Sequence, residues 1–284
     1  MIKKLKIYWI LIKSLQTGLL LITGLAGYMS VKCPVISINQ ILYLGTSLFL
    51  TISGSTVLNM WYDRDIDLKM ERTCRRPLPS NEINPTEALA FGMGLSAAGM
   101  GMAFYFSVLY GLIIFAGVFF DVVVYTIILK RRTAWSIIIG GISGGMPVLA
   151  GRVFGLGSID WIGILMAASI LFWIPTHILT FNMKYIDDYN KAGVPTITSI
   201  YGVNVNRKII VLSSFLSAAA LITSSFEIGI RIGFLRLIGT MAGGLIVVSM
   251  IVFFKPSKKL NFMLFKYASV LMLTAMLIFF FEGF

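Results

Sequence analysis

The sequence predicts an all-α, polytopic membrane protein of about nine transmembrane helices, and three observations carry that prediction. Hydrophobic residues make up 57% of the 284 and charged ones only 13%. The apolar residues fall in blocks of roughly 20, enough for ~30 Å of helix across a bilayer. Basic residues also crowd the ends of alternate blocks, as the charge bias of membrane proteins requires. In order, helices are expected near 7–30, 38–58, 86–107, 110–129, 134–153, 160–182, 209–226, 233–254 and 262–282. The first follows a basic N-terminus but exceeds a signal-peptide core and lacks a small-x-small cleavage site before Lys32 to Pro34, so it reads as an uncleaved span. The second and the sixth each end in an acidic cluster, and the fourth carries Asp121 about two turns inside. An ionisable group at that depth is expensive and is expected either to line a cavity or to pair with a neighbouring helix.

The net charge of +12 could suggest nucleic acid, but its distribution argues for a lipid bilayer as partner and for no nucleic acid. With a cytoplasmic N-terminus, the inside segments (Lys3 to Lys6, Arg64 to Arg76, Lys130 to Arg132, Lys184 to Lys208, Lys255 to Lys266) hold 19 of the 24 Lys and Arg. The opposite side receives Lys32, Arg152, Arg231 and Arg236, and Lys13 is left inside the first span. The expectation is a multi-pass cell-membrane protein with its N-terminus inside and its C-terminus outside. Cys33 and Cys74 then fall on opposite sides and cannot bridge.

The acidic clusters begin alike. Asn59-Met60-Trp61-Tyr62-Asp63 runs on to Asp65 and Asp67, and Asn182-Met183-Lys184-Tyr185-Ile186-Asp187 runs on to Asp188. Each closes an even-numbered helix, so residues 1–284 are expected to form a single domain of two four-helix repeats plus a ninth helix around a central cavity. Residues 59–85 and 184–208 are expected to be two long cytoplasmic loops carrying the clusters.

Asn59, Asp63 and Asp67 stand at i, i+4 and i+8, on one helix face, with Asp65 roughly opposite. One stripe thus offers an amide oxygen and two carboxylates. Mg²⁺ takes oxygen ligands and keeps waters and substrate phosphates in its shell, so a few protein oxygens facing a diphosphate suffice. The plainer reading pairs Asp63, Asp65 and Asp67 with Arg64, Lys69 and Arg72 on a solvated helix end, but it leaves the recurrence at the sixth helix unexplained.

Asn59 to Pro79, reading NMWYDRDIDLKMERTCRRPLP, resembles the first aspartate-rich motif of the UbiA superfamily of intramembrane prenyltransferases. Its tail of Arg72, Thr73, Arg75, Arg76, Pro77 and Leu78 is most similar to the heme O synthase branch, the protoheme IX farnesyltransferases. Leu129 to Thr133 with Ile139-Gly140-Gly141 and Gly145-Met146-Pro147 resembles that branch's loop and fifth helix. Asp187-Asp188-Tyr189 with Ala192 to Pro195 resembles its second acidic motif. Two departures stand out: Lys184 occupies the position four before Asp188 where many members carry an aspartate, and Ile178 and Leu179 follow His177 where the branch has aromatics.

The resemblance implies transfer of a farnesyl group from farnesyl diphosphate to a vinyl carbon of heme B, giving heme O. It implies Asn59, Asp63, Asp67, Asp187 and Asp188 as catalytic residues, with Asn59, Asp63, Asp67 and Asp188 as Mg²⁺ ligands. Arg72, Lys130, Arg131 and Lys184 are candidate diphosphate clamps. His177, the single histidine, either ligates or positions heme iron or hydrogen-bonds within the bundle. Trp61, Tyr62, Trp173, Phe181 and Tyr185 lie near the motifs, where their faces suit a cation or the interfacial belt. Two alternatives stay open: the same donor with an aromatic quinone precursor or a glycerol-phosphate lipid as acceptor, and a cation transporter. Transporter sites lie near the bilayer midplane, whereas both clusters sit at helix ends.

Overall fold

Hydrophobic blocks separated by short capped turns give a bundle in which sequential helices pack side by side. The computed structural model describes residues 2–31 and 37–283, all of whose regular structure is helical; Cys33 and the expectation at Lys32 to Pro34 lie outside the described residues. The elements are α1 (Ile2–Leu11), α2 (Ser14–Met29), α3 (Ile38–Tyr62), α4 (Arg64–Lys69), α5 (Pro85–Phe106), α6 (Val108–Val118), continued by a π-helix (Phe119–Leu129), α7 (Ser136–Gly140), α8 (Ile142–Leu156), α9 (Trp161–Lys184), α10 (Ile186–Ala192), α11 (Ile197–Ile228), α12 (Ile232–Phe254) and α13 (Lys258–Phe281). Among the described residues eight helices are long and apolar enough to cross a membrane, and the bent pair α1–α2 makes a ninth span when its two parts are counted together. The helices neighbour one another in chain order, and α13 returns to α2 to close the ring.

Polar side chains fix where the spans start. Asn84 accepts from the Thr86 N–H ahead of Pro85, Ser107 from Tyr110, Asp160 from Gly163 and Ser257 from Leu260, each satisfying a donor that the first turn leaves unpaired. Across the ring α2 lies directly on α8, where a Cβ on Gly27 or Gly151 would overlap the carbonyl oxygen of Val148 or Gly24. Close backbone approach through small residues is how helices gain packing energy where lipid supplies no hydrophobic drive.

Three expectations need correction. The first span is not one straight helix: it bends by 51° at Lys13, whose φ of 45° is left-handed. The seventh begins at Ile197 rather than 209, because Thr196 and Ser199 form a reciprocal capping box that starts a helix in a polar stretch. Gly202, at φ 84°, then divides this helix, a conformation open to glycine. The stretches 59–85 and 184–208 are therefore loop only in part, as in the turns of 70–84. They carry the short helices α4 and α10, which pack on each other through Ile66, Met70, Tyr189, Ala192 and Val194.

Candidate active site

The acidic stripe survives the end of α3 because the i→i−4 ladder continues through it. Asp63 N–H donates to Asn59 O at 3.0 Å and Asp67 N–H to Asp63 O at 2.8 Å, although Asp63 itself caps the helix. Asp63 and Asp67 are 5% and 4% exposed, whereas Asp65 on the other face is exposed. The wall facing this stripe is the π-helix, whose i→i+5 bonding puts residues five apart on one face. Asp121 accepts from Ser55 Oγ at 2.5 Å and Asn59 Nδ2 at 2.7 Å; Thr126 Oγ1 donates to Asn59 Oδ1 at 2.9 Å; Lys130 Nζ donates to Asp63 Oδ2. The period of four on α3 is thus matched by a period near five opposite.

Charge is nearly balanced pair by pair. Burial pushes the Asp63 carboxyl above its ordinary value, against the pull of Lys130. Burial likewise works against the Lys130 charge, but Tyr125 and Asp63 outweigh it and raise its pKa, so the ammonium stays protonated. Asp67 pairs with Arg76 at 2.6 Å. Asp63 Oδ1 is buried without a hydrogen bond, with Arg131 Nη2 at 3.9 Å.

The second acidic segment meets the first. Asp188, 8% exposed, accepts from the Glu71 backbone N–H at 3.3 Å, and Lys191 pairs with Glu71 at 3.0 Å. Arg72 crosses the same junction, its guanidinium 5.1 Å from the Phe181 ring centroid and 5.7 Å from that of Tyr185. Asp187 points outward and is exposed.

Other candidates have partners of their own. Arg131 forks onto Asp65 at 2.6 and 2.7 Å and donates to Tyr62 O. Lys184 lies 3.6 Å from the Phe262 ring centroid. His177 is stacked between Trp173 and Phe265 at 4.5 and 4.4 Å, with Nδ1 3.1 Å from Ser269 Oγ. Because Ser269 donates its hydrogen to Phe265 O, its oxygen accepts from Nδ1–H, which leaves the Nε2 lone pair available. Among the described residues no three His, Cys, Asp or Glu side chains already converge as a metal cluster.

Sequence reasoning missed three groups. Arg76 was read only as part of a motif tail, Lys13 had no role, and Asn182, the counterpart of Asn59, was not singled out. Lys13 lies within electrostatic reach of Asp67, Asp121, Arg76 and Lys130; a lone lysine in an apolar span was its signal. Asn182 is 1% exposed with neither amide atom partnered. Beside the stripe, a cavity of about 100 Å³ has Asp121 and Ser55 in its wall together with apolar Leu20, Leu48, Ile52 and Ile114.

The UbiA prenyltransferase family matches residues 20–278. The chain belongs to this family. It is 43% identical to the protoheme IX farnesyltransferase of Archaeoglobus fulgidus over 200 residues, 70% of each chain. It is 38% identical to that of Pyrobaculum arsenaticum over 247 residues, 86% of this chain and 85% of the relative. Its fold resembles a solved structure described in terms of digeranylgeranylglyceryl phosphate synthase in membranes, with a TM-score of 0.82, 21% identity and 99% of both chains covered. A UbiA homolog from Archaeoglobus fulgidus bound to DMAPP and Mg²⁺ superposes with a TM-score of 0.70 at 17% identity, covering 96% of this chain and 98% of that one. This UbiA family member is therefore an intramembrane prenyltransferase of all-helical architecture.

Proposed function

We propose that this chain joins the farnesyl group of farnesyl diphosphate to a vinyl carbon of heme B to give heme O, using Mg²⁺, with the reacting end of the bundle on the cytoplasmic side of the cell membrane. The observation that carries this reading is the junction of the two acidic segments, where Asp188 accepts from Glu71 N–H at 3.3 Å, four residues past Asp67 in the stripe of half-buried Asn59 and buried Asp63 and Asp67. Relatives named protoheme IX farnesyltransferase at 33 to 43% identity support the acceptor. The 19 of 24 basic residues assigned to this side support the orientation, with the C-terminus outside.

The residues fit Mg²⁺. Asn59, Asp63, Asp67 and Asp188 would supply oxygen donors on drawing together around the ion, and the unbonded Asp63 Oδ1 is the atom an ion would satisfy. When bound, Mg²⁺ supplies charge neutralisation for the departing diphosphate. Lys130 and Arg76, paired to the carboxylates, and Lys13 behind them add positive charge for the same oxygens; Arg72, Arg131 and Lys184 extend it, and exposed Asp187 lies outside this inner ring. The farnesyl C1–O bond breaks with its electrons going to the diphosphate, and C1 bonds to the terminal vinyl carbon. Water then adds its oxygen at the neighbouring carbon and releases a proton. Trp173, His177 and Phe265 form a stacked apolar column that suits a flat macrocycle, with the Nε2 lone pair of His177 placed to position heme iron.

Purified protein incubated in detergent with Mg²⁺, farnesyl diphosphate and either heme B or 4-hydroxybenzoate tests the reading by product mass. A heme adduct gaining a farnesyl and a hydroxyl group is expected. A prenylated benzoate would move the assignment to an aromatic acceptor, and no product from folded protein would overturn it.

A further inference from the structure

Asp121 is outside every motif that marks the site, yet it makes two short hydrogen bonds to α3. The geometry points to Asp121 as a positioning residue that fixes which atom of Asn59 faces the metal–diphosphate site; this rests on the proposed Mg²⁺-dependent reaction. A side-chain amide has one donor end and one acceptor end, and its orientation is set by what surrounds it. A carboxylate only accepts, so Asn59 must turn its NH2 to Asp121 Oδ2 at 2.7 Å. Its oxygen therefore points the other way, where Thr126 Oγ1 uses one lone pair at 2.9 Å and leaves the second free. Ser55 Oγ, bonded to the same Oδ2 at 2.5 Å, holds the carboxylate still. The same Oγ1 lies 2.9 Å from Asp121 O, so its one hydrogen is shared between Asn59 Oδ1 and the backbone of the π-turn.

The π-helix is what makes this possible. Its wide register brings Asp121 and Thr126, five residues apart, to one face, with Lys130 following against Asp63. In an α-helix, residues five apart diverge and only one of the two could reach Asn59. The negative carboxylate on the NH2 also pushes electron density through the amide onto its oxygen and makes it a better ligand for a cation, the usual effect of a partner behind a ligand, whose loss costs ~10–100-fold in metal affinity.

Mn²⁺ binding to the detergent-solubilised full chain in the presence of inorganic diphosphate, followed by the EPR signal of free Mn²⁺, tests this. Asp121→Leu removes the acceptor and should weaken Mn²⁺ binding about tenfold or more, with the melting temperature close to wild type. Asp121→Asn keeps an acceptor oxygen in place and should stay within about threefold of wild type. Should Asp121→Leu not fold, Asp121→Ser, too short to reach Asn59, carries the same expected loss. Wild-type Mn²⁺ binding in the acceptor-free variant, or equal losses in Leu and Asn variants, would overturn the inference. Asp63→Asn is the reference: if it alone binds weakly, only the positioning role fails; if it too binds like wild type, the metal reading fails with it.

Discussion

Asp63 combines burial, a lysine partner on one oxygen and an unbonded second oxygen, so replacing it should affect chemistry more than folding. Asp63→Asn and Asp67→Asn preserve side-chain shape, and each is expected to lower kcat/KM for farnesyl diphosphate by about a hundredfold or more, with little change in thermal melting. Near-wild-type turnover in both would remove the carboxylates from the reaction. Lys13 presents a different balance, since its neighbours include the like charges of Arg76 and Lys130 as well as Asp67 and Asp121. Two like charges held near a third are tolerated where an anion binds between them. Lys13→Met should raise KM for farnesyl diphosphate about tenfold, the worth of one charge-assisted hydrogen bond, and leave the acceptor's KM unchanged in steady-state assays.

Among elements, the end of the bundle opposite the site is secured by a polar clasp. Arg152 on α8 forks onto Asp160 at 2.7 Å through both Nε and Nη2 and donates to Ser30 O and Oγ, while Asp160 also caps α9. Burial alone would raise the Asp160 carboxyl, but Arg152 and the Gly163 N–H hold it below the ordinary value. A depressed folded-state pKa gives stability that is present above the unfolded value of ~3.9 and lost as pH falls through the folded one. Asp160→Asn should therefore be less stable at neutral pH and show a flatter acid-melting profile than wild type, measured by melting in detergent from pH 7 to 3. On the same α2–α8 contact, Gly151→Ala forces a methyl into the Gly24 carbonyl and should cost about 3 kcal/mol, seen as a lowered melting temperature.

The same elements show what could be read from sequence and what could not. Spans, the first acidic stripe and its buried and exposed sides followed from hydropathy and a period of 3.6, since the helical ladder runs from α3 through Asp63 into α4 as far as Asp67. The π-helix did not, because its partners Asp121, Thr126 and Lys130 share a face only in a five-residue register. The early start of α11 was hidden by polar residues 197–208, where capping by Thr196 rather than apolar periodicity starts the helix. Arg76 and Lys13 left weaker marks, because Arg76 folds back on Asp67 nine residues earlier through an irregular turn and Lys13 meets Asp67 and Asp121 electrostatically from the first span.

For the whole molecule, the consequence of the ring is that α3 and α9 end on the same level. Their short following helices, α4 and α10, meet through an apolar contact and bring two acidic segments over one site, which neither half could form alone. On the proposed reading, substrate binding depends on metal and on both halves together. The most direct measurement is calorimetric titration of farnesyl diphosphate into the purified protein with Mg²⁺ and after EDTA, in wild type, Asp63→Asn and Asp188→Asn. Binding that is strong with Mg²⁺, abolished by EDTA and weakened about tenfold or more in either variant is the predicted result. Binding of equal strength in EDTA, or unchanged in both variants, would contradict a metal-bridged diphosphate held between the two acidic segments.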